Sequence, residues 1–364
     1  MSFPGRQDVF GRYLKALDRE ASFHPTIKPA TLYVGGGTPS ELSAENLSEL
    51  LGALAARFGP LEAMAESTVE GNPESLDARK LDVLRAAGVS RLSVGLQSAD
   101  DRLLKDIGRR HTWADFERAY AQAARRGFSV SVDLMLALPG QTLTGALASL
   151  KSVLRLDPDH LSLYCLHVEE GTPLSRQGFA EDEDLGRGMF EASMDILSRA
   201  GYRHYEISNF ARPGRESLHN LNYWRGGSYL GLGCAAAGYL GGVRYENDRD
   251  VEGYCRKVER GESPALATES LAGKEKLGES LLLGLRMIGG VLLTAPMRRH
   301  FTSELESLRR RGLLELERSP KTGLPLRARL SREGIFFANE VFREFVPPFG
   351  GVPRTMTEPI GERP

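Results

Sequence analysis

The sequence predicts an α/β fold: a parallel β/α barrel followed by a small C-terminal domain of winged-helix-like order. Three observations carry this. β-rich runs start near residues 31, 66, 90, 128, 160 and 203 and alternate with amphipathic stretches, which implies parallel strands joined by right-handed helical crossovers. On alternation alone a doubly wound sheet fits as well. Gly36, Glu70, Gln97, Asp133, Glu169 and Glu206 fall near the carboxyl ends of successive strands, where a barrel builds its active face; a doubly wound sheet would gather them at one switch point. The third observation comes from the end of the chain, where a helix, a helix, a hairpin and a helix follow one another.

Asp8 to Ser22 reads as an amphipathic helix with Val9, Phe10, Tyr13, Leu14 and Leu17 on one face. No strand precedes it, so it is either an extra leading helix or the helix of a unit whose strand is missing. Thr31–Val34 is a short strand that runs into Gly35-Gly36-Gly37-Thr38-Pro39-Ser40, and Ser43 caps the helix that follows. The three glycines leave backbone N–H groups open to a ligand. Strand 66–70 ends in Gly71-Asn72-Pro73, with a helix at 75–87. Strand 90–95 ends in Gly95-Leu96-Gln97-Ser98. Thr112 and Asp115 form a capping box for a helix ending near Gly127. Strand 128–136 carries Asp133, a helix spans 142–156, and a strand runs from His160 to Val168. A helix at 182–200 leads to the last strand, Tyr202 to Ile207.

Residues 213–248, rich in Gly, Asn and aromatics, read as a loop packed on its own rings and a candidate ligand lid. Helices at 272–287 and 295–311, a hairpin of 313–317 with 326–330, and a helix capped by Ser331 complete the ordered chain. The expected divisions are a barrel at 1–212, a loop and linker region at 213–264, the winged-helix-like domain at 265–346 and a disordered tail at 347–364.

The 364 residues carry a formal net charge of -1, so no basic field argues for nucleic acid. No apolar run is long enough to span a membrane. Cys165, Cys234 and Cys255 are too dispersed for a local metal knot and too few for a disulfide framework, which makes a reducing, cytoplasmic setting the default.

Glu70, Gln97, Arg109 and Asp133 are the first candidates for chemistry. A cofactor with a ribose and an amino acid group needs carboxylates for hydroxyls and ammonium, and a cation for its carboxylate. Any one of the four alone reads as a helix cap or a surface ion pair; four on one rim read as a site. His219, followed by Asn220-Leu221-Asn222-Tyr223-Trp224, reads equally as an aromatic pocket with an imidazole ligand and as a packed loop with a hydrogen-bonded His. His111, His167 and Cys234 read as structural.

These stretches together resemble a known family. The motifs are Gly35-Gly36-Gly37-Thr38-Pro39-Ser40, Glu70-Gly71-Asn72-Pro73, Gly95-Leu96-Gln97-Ser98, Gly108-Arg109-Arg110-His111, and Asp133 with Leu138-Pro139-Gly140-Gln141-Thr142. They resemble the oxygen-independent coproporphyrinogen III oxidase branch of the radical S-adenosylmethionine (SAM) superfamily. Tyr205–Ala211 and His219–Trp224 narrow the resemblance to its HemW-type haem chaperones, and Leu283–Arg286 with Ala338–Phe342 match their C-terminal domain.

The resemblance implies an incomplete β/α barrel with SAM across its open face. Gly36, Gly37 and Thr38 would hold the methionine end of SAM, and Glu70, Gln97, Arg109 and Asp133 would line the rest. His219, Asn220, Tyr223 and Trp224 would belong to the haem region. It also implies delivery of haem to haem-requiring respiratory enzymes at the membrane. The expected setting is the cytoplasm, with peripheral placement at the inner membrane face, no nucleic acid partner, and a homodimer as one state. The alternatives are a coproporphyrinogen oxidase-like radical SAM enzyme and a non-catalytic remnant.

Two departures stand out. The family's first strand and its C-x-x-x-C-x-x-C loop, which binds a [4Fe-4S] cluster, have no counterpart here. Ser2-Phe3-Pro4-Gly5 resembles the sequence just after that loop, so the expectation is a gene start placed too far downstream. A barrel without its first strand also leaves Thr31–Val34 as an open edge, and marginal stability is expected from it. Second, relatives carry a His near Ala237, and this chain does not.

Overall fold

The computed structural model describes residues 7–24 and 27–349. The motif at Ser2–Gly5 and most of the expected tail, from Gly350 onward, lie outside them. The chain forms two units. Of the described residues, one unit holds those up to Tyr223 together with Ser228–Glu269, and the other Trp224–Gly227 together with those from Ser270 to Phe349.

In the first unit α1 (Gln7–Ala21) precedes β1 (Thr31–Val34), α2 (Ala44–Phe58), β2 (Glu66–Gly71), α3 (Ala78–Ala86), β3 (Arg91–Gln97), α4 (Asp101–Asp106), α5 (Trp113–Arg125), β4 (Ser129–Leu136), α6 (Leu143–Leu154) and β5 (His160–Cys165). Next come α7 (Pro173–Arg176), α8 (Glu183–Arg199), β6 (Arg203–Glu206), β7 (Asn209–Ala211) and α9 (Leu218–Trp224). The unit ends with β8 (Ala237–Leu240), β9 (Val243–Asn247), α10 (Val251–Glu259) and β10 (Ala265–Ser270). The caps read from sequence form. Ser43 accepts from the Asn46 N–H, and Thr112 with Asp115 closes a reciprocal capping box.

The seven-stranded sheet has the order β1-β2-β3-β4-β5-β7-β6, with β1 to β5 parallel and in sequence order. This is the incomplete β/α barrel that the resemblance implies. β1 stands at one end of it. The sheet is not parallel throughout: Asn209–Ala211, just past the last strand expected from sequence, inserts as β7 antiparallel to both β5 and β6. The buried Glu206 carboxylate holds this reversal by accepting from the Asn209 side chain and the Ser208 N–H. Glu206 is therefore a turn-former, not a rim residue. β5 ends at Cys165, three residues before the expected Val168, which leaves Glu169 exposed beyond the sheet.

Residues 213–248 are more regular than a loop. They contain α9 and the antiparallel β8–β9 hairpin, to which β10 adds to make a three-stranded sheet. α1 is pinned to this segment and to α10 by Glu20, 2% exposed, which accepts from Gly233 N (2.8 Å), Asn247 Nδ2 (2.6 Å) and, in α10, Tyr254 Oη (2.7 Å). A strand-to-helix alternation gives no hint of such a tie, because its partners lie more than two hundred residues apart.

The second unit contains α11 (Gly273–Leu285), β11 (Val291–Leu292), α12 (Ala295–Arg310), β12 (Leu314–Arg318), β13 (Pro325–Leu330), α13 (Arg332–Phe336) and α14 (Ala338–Arg343). Its sheet has the order β11-β13-β12, all antiparallel. The added strand β11 turns the expected hairpin into a three-stranded wing. No described helix is long and apolar enough to cross a membrane.

Replacing Glu20 by Ala strands three donors in a buried position. The Glu20→Ala variant should lose about 2–4 kcal/mol of stability, read as a lower urea midpoint of the first unit's transition; an unchanged midpoint would refute the tie.

Candidate functional site

Parallel pairing fixes which side chains share a face, and in this sheet the two faces differ sharply. Leu32, Val34, Val69, Leu92, Val94, Val132 and Leu161 point to one side, and Leu32 and Val34 pack on Phe10, Leu14, Leu17 and Leu54 of α1 and α2. The other side is polar. One row across the strands reads Glu70, Ser93, Ser131, His160; the next reads Gly95, Asp133, Ser162. A parallel sheet ordinarily buries apolar side chains on both faces. A polar face on it indicates a surface built for a ligand.

At the carboxyl end of β1 the chain turns through Gly35–Gly37. A Cβ on Gly35 would sit 2.7 Å from both the Glu70 carboxyl carbon and the Tyr33 ring, so only glycine lets these two side chains close over the turn. Tyr33 Oη donates to Glu70 Oε1 at 2.6 Å, and Gly36 N donates to Oε2 at 3.3 Å. Gly36 has φ +85, and its Cβ position is open. Gly35, Gly36, Gly37 and Thr38 line a cavity of about 700 Å³ together with Asn72, Arg110 and apolar side chains of α1 and α2.

Beyond β2, Asn72 Oδ1 accepts from Arg109 Nη1 at a long 3.5 Å. Gln97 sits at a register shift at the end of β3 with φ +71, a conformation that costs a non-glycine residue energy and marks positions held for a purpose. A Cβ on Gly95 would lie 3.0 Å from Gln97 Nε2 and 3.5 Å from Asn72 Oδ1. The glycine makes room for this amide pair.

Asp133 accepts from Ser93 Oγ at 3.2 Å. Burial pushes its carboxyl up to about 6, and neighbouring Glu70 adds to the shift against the hydroxyls of Ser162 and Ser93. The Tyr33 phenol is likewise driven up, by burial first and then by Glu70 and Asp133. The region is thus acidic and partly dehydrated, suited to a cationic, hydroxyl-rich ligand.

The haem-region candidates divide. α9 opens against the buried carboxylate of Glu66, which accepts from Ser217 Oγ (3.1 Å), Leu218 N (3.0 Å) and His219 N (3.1 Å). Arg91 Nη1 lies 3.7 Å from the same carboxylate and donates to Arg215 O at 3.1 Å. This seats His219 on the polar face: Nδ1 is 2.9 Å from Thr31 Oγ1, Nε2 is 2.8 Å from Tyr223 Oη, and the ring stacks on Tyr33 at 5.1 Å. Burial lowers the His219 pKa, opposed by Glu66. Asn220 contributes its backbone N–H, to Ser217 Oγ at 3.3 Å. Trp224 belongs to the second unit, where Arg286 stacks 4.3 Å above its ring.

His111 is structural, bonded to Glu74 and to Leu96 O. Cys234 Sγ donates to Arg249 O. Among the described residues no three His, Cys, Asp or Glu are grouped to hold a metal ion: Cys165 ends β5, Cys234 lies before β8 and Cys255 is in α10. These residues do not fit a thiolate-bound cluster. Thr31, Tyr33, Glu66, Asn72 and Arg91 were not singled out from sequence. The signal for the strand members was the polar alternation Glu66, Thr68, Glu70 within an otherwise buried run.

Two outcomes follow. Asp133→Asn removes a carboxylate that is penalised once ionised. Its folded-state pKa lies above the ordinary value of 3.8, so its stability contribution is full below about 4 and is lost as pH rises through about 6. Thermal melts should therefore show the variant more stable than the parent at pH 7.5, with the gain vanishing toward pH 4. Glu66→Ala leaves Arg91 buried without its counter-charge and α9 uncapped. A loss of about 3–5 kcal/mol is expected, and proteolysis should begin in residues 212–224.

Comparisons with known proteins agree with this geometry. The sequence model of the radical SAM superfamily matches residues 14–152. The heme chaperone HemW of Lactococcus lactis is 36% identical over 341 residues, 92% of this chain and 89% of that protein. HemW of Bacillus subtilis is 36% identical over 353 residues, 92% of this chain and 91% of its own length. Among solved structures, coproporphyrinogen III oxidase (HemN) from Escherichia coli superimposes with TM-score 0.81 at 20% identity, covering 95% of this chain and 85% of that one; at that identity the likeness speaks for the fold. Similarity at this level along nearly the full length of two HemW proteins shows that the chain belongs to the HemW family of the radical SAM superfamily.

Proposed function

We propose that this protein binds haem and hands it on, as a haem chaperone. The observation that carries the reading is the 36% identity with HemW over nine-tenths of both chains. His219 and Tyr223, on a helix anchored by Glu66, are the residues proposed to meet haem in the first unit, with Asn220 and Trp224 as neighbours in the motif. Both His219 nitrogens already have hydroxyl partners, so an iron ligand at this position has to exchange one of them. The proposed recipients are haem-requiring respiratory enzymes at the membrane, met by a cytoplasmic protein that docks there peripherally, as a monomer or a homodimer.

SAM fits the polar face. It brings a sulfonium cation, an ammonium group and a ribose diol, and Glu70 and Asp133 offer carboxylates for them. The open backbone at Gly36, Gly37 and Thr38 suits the methionine end, with Gln97 and Arg109 completing the wall. The described cysteines do not fit an iron–sulfur cluster. The second reading, a coproporphyrinogen oxidase-like enzyme, rests on a likeness of fold at 20% identity and is weaker for that reason.

Haemin titration of the full chain decides between them. A saturable shift of the Soret band is expected, weakened at least about tenfold in His219→Ala, equivalent to about 1.4 kcal/mol. With SAM and a reductant, coproporphyrinogen should release no CO2. Absence of a saturable shift, or CO2 release, would overturn the chaperone reading.

A further inference from the structure

We propose that Tyr33 is a positioning residue that couples the glycine-loop site to His219, so that a ligand at Glu70 changes the state of the imidazole. The chemical identity of what His219 meets rests on the haem reading; the coupling itself rests on geometry.

One side chain serves both places. The Tyr33 hydroxyl donates to Glu70 Oε1 at 2.6 Å, on the same carboxylate that receives the Gly36 N–H. Its ring lies against the His219 imidazole, centroids 5.1 Å apart and planes 23° apart. Thr31, two residues earlier on the same face of β1, holds Nδ1. β1 therefore carries one partner for the ligand site and two for the histidine. There is little slack, since the Tyr33 ring and the Glu70 carboxyl both lie 2.7 Å from the point a Cβ on Gly35 would take. A ligand that donates hydrogen bonds to Glu70 competes with the Tyr33 hydroxyl, and the ring that then shifts is the one stacked on His219.

The imidazole is built to respond. Both of its partners, Thr31 Oγ1 and Tyr223 Oη, are hydroxyls, which donate or accept equally well. Either neutral tautomer is thus satisfied, and a small displacement suffices to choose between them or to release one nitrogen. Burial keeps the ring neutral, so the response is one of orientation and tautomer rather than of charge. The ligand class is a cation bearing N–H or O–H donors, for which SAM is the probe. Coupling has to be reciprocal: what SAM does to haem affinity, haem does to SAM affinity.

The test uses the full chain labelled with 13C-histidine, seven residues in all, with the His219 signal assigned through His219→Gln. SAM should move that signal in the parent protein, and saturating SAM should tighten haemin binding by about fivefold or more. Tyr33→Phe keeps the stacked ring and deletes the bond to Glu70; the ratio of haemin affinities with and without SAM should fall below about twofold, whatever the affinities themselves. Tyr33→Leu, which also removes the stack, should abolish the SAM-induced shift. A His219 signal that SAM leaves unmoved overturns the proposal, as does a ratio in Tyr33→Phe equal to that of the parent. A chain that binds no haemin but shows the shift, lost in Tyr33→Phe, overturns the haem reading and supports the coupling.

Discussion

Much of the first unit depends on one buried carboxylate. Glu66 opens β2, accepts three hydrogen bonds from the start of α9, and faces Arg91 on the next strand. Two charges this deeply buried are costly, and the pair offsets that cost only because both groups are also hydrogen-bonded to neutral partners. A hydrophobic pair of the same volume could fill the space. It could not cap α9 or fix the rotation of the helix about its axis, and that rotation places His219 against Thr31 and Tyr33. The ion pair is better understood as a device of placement than of stability.

Placement of this kind is needed because the sheet has divided its faces. The helix-packed side holds the apolar strand residues, while the opposite side carries Glu66, Glu70, Asp133, Ser93, Ser131, His160 and Tyr33. A half-barrel of this composition gains little from burying its inner face and holds it together with hydrogen bonds. Ser131 to His160, His160 to Tyr205, and Tyr205 to Ser217 form one such chain. Burial depresses the His160 pKa strongly, with Arg91 acting in the same direction, so this histidine stays a neutral link. A network of satisfied groups is rigid, and rigidity suits a face whose job is to present polar atoms at fixed positions.

Sequence reasoning recovered the parts of this arrangement governed by local rules. Helix caps at Ser43 and Thr112, the glycine turn after β1 and the parallel order of β1 to β5 all follow from short-range chemistry. It missed β7, because Asn209–Ala211 is three residues long and becomes a strand only by pairing with β5 and β6. The β8–β9 hairpin was hidden for a related reason: its ties reach back to Glu20 in α1. Among the candidate residues, Glu70, Gln97, Arg109 and Asp133 drew notice in the sequence because charged and amide groups stand out near strand ends and in the motifs that follow them. Tyr33 and Thr31 were not, since aromatic and β-branched residues are ordinary in a strand, and only the register shows which face they share.

The electrostatics of the polar face bears on how two such different ligands could share one scaffold. Among the described residues, its carboxylates Glu66, Glu70 and Asp133 face one buried cation, Arg91, and burial raises the Asp133 pKa. Such a face favours cationic groups, such as the sulfonium and ammonium that the proposed SAM ligand would bring, and leaves any carboxylate to be met elsewhere, as by the Arg109 proposed for that of SAM. On the proposed haem reading, the two propionates would be repelled by this region, and the iron or an apolar edge would be the part of haem turned toward His219 and Tyr223. On that reading charge would separate the two proposed ligands, even though Tyr33 touches both Glu70 and His219. That separation would also make the His219 ring, stacked, neutral and bonded at both nitrogens, the natural boundary between the acidic site and whatever lies beyond it.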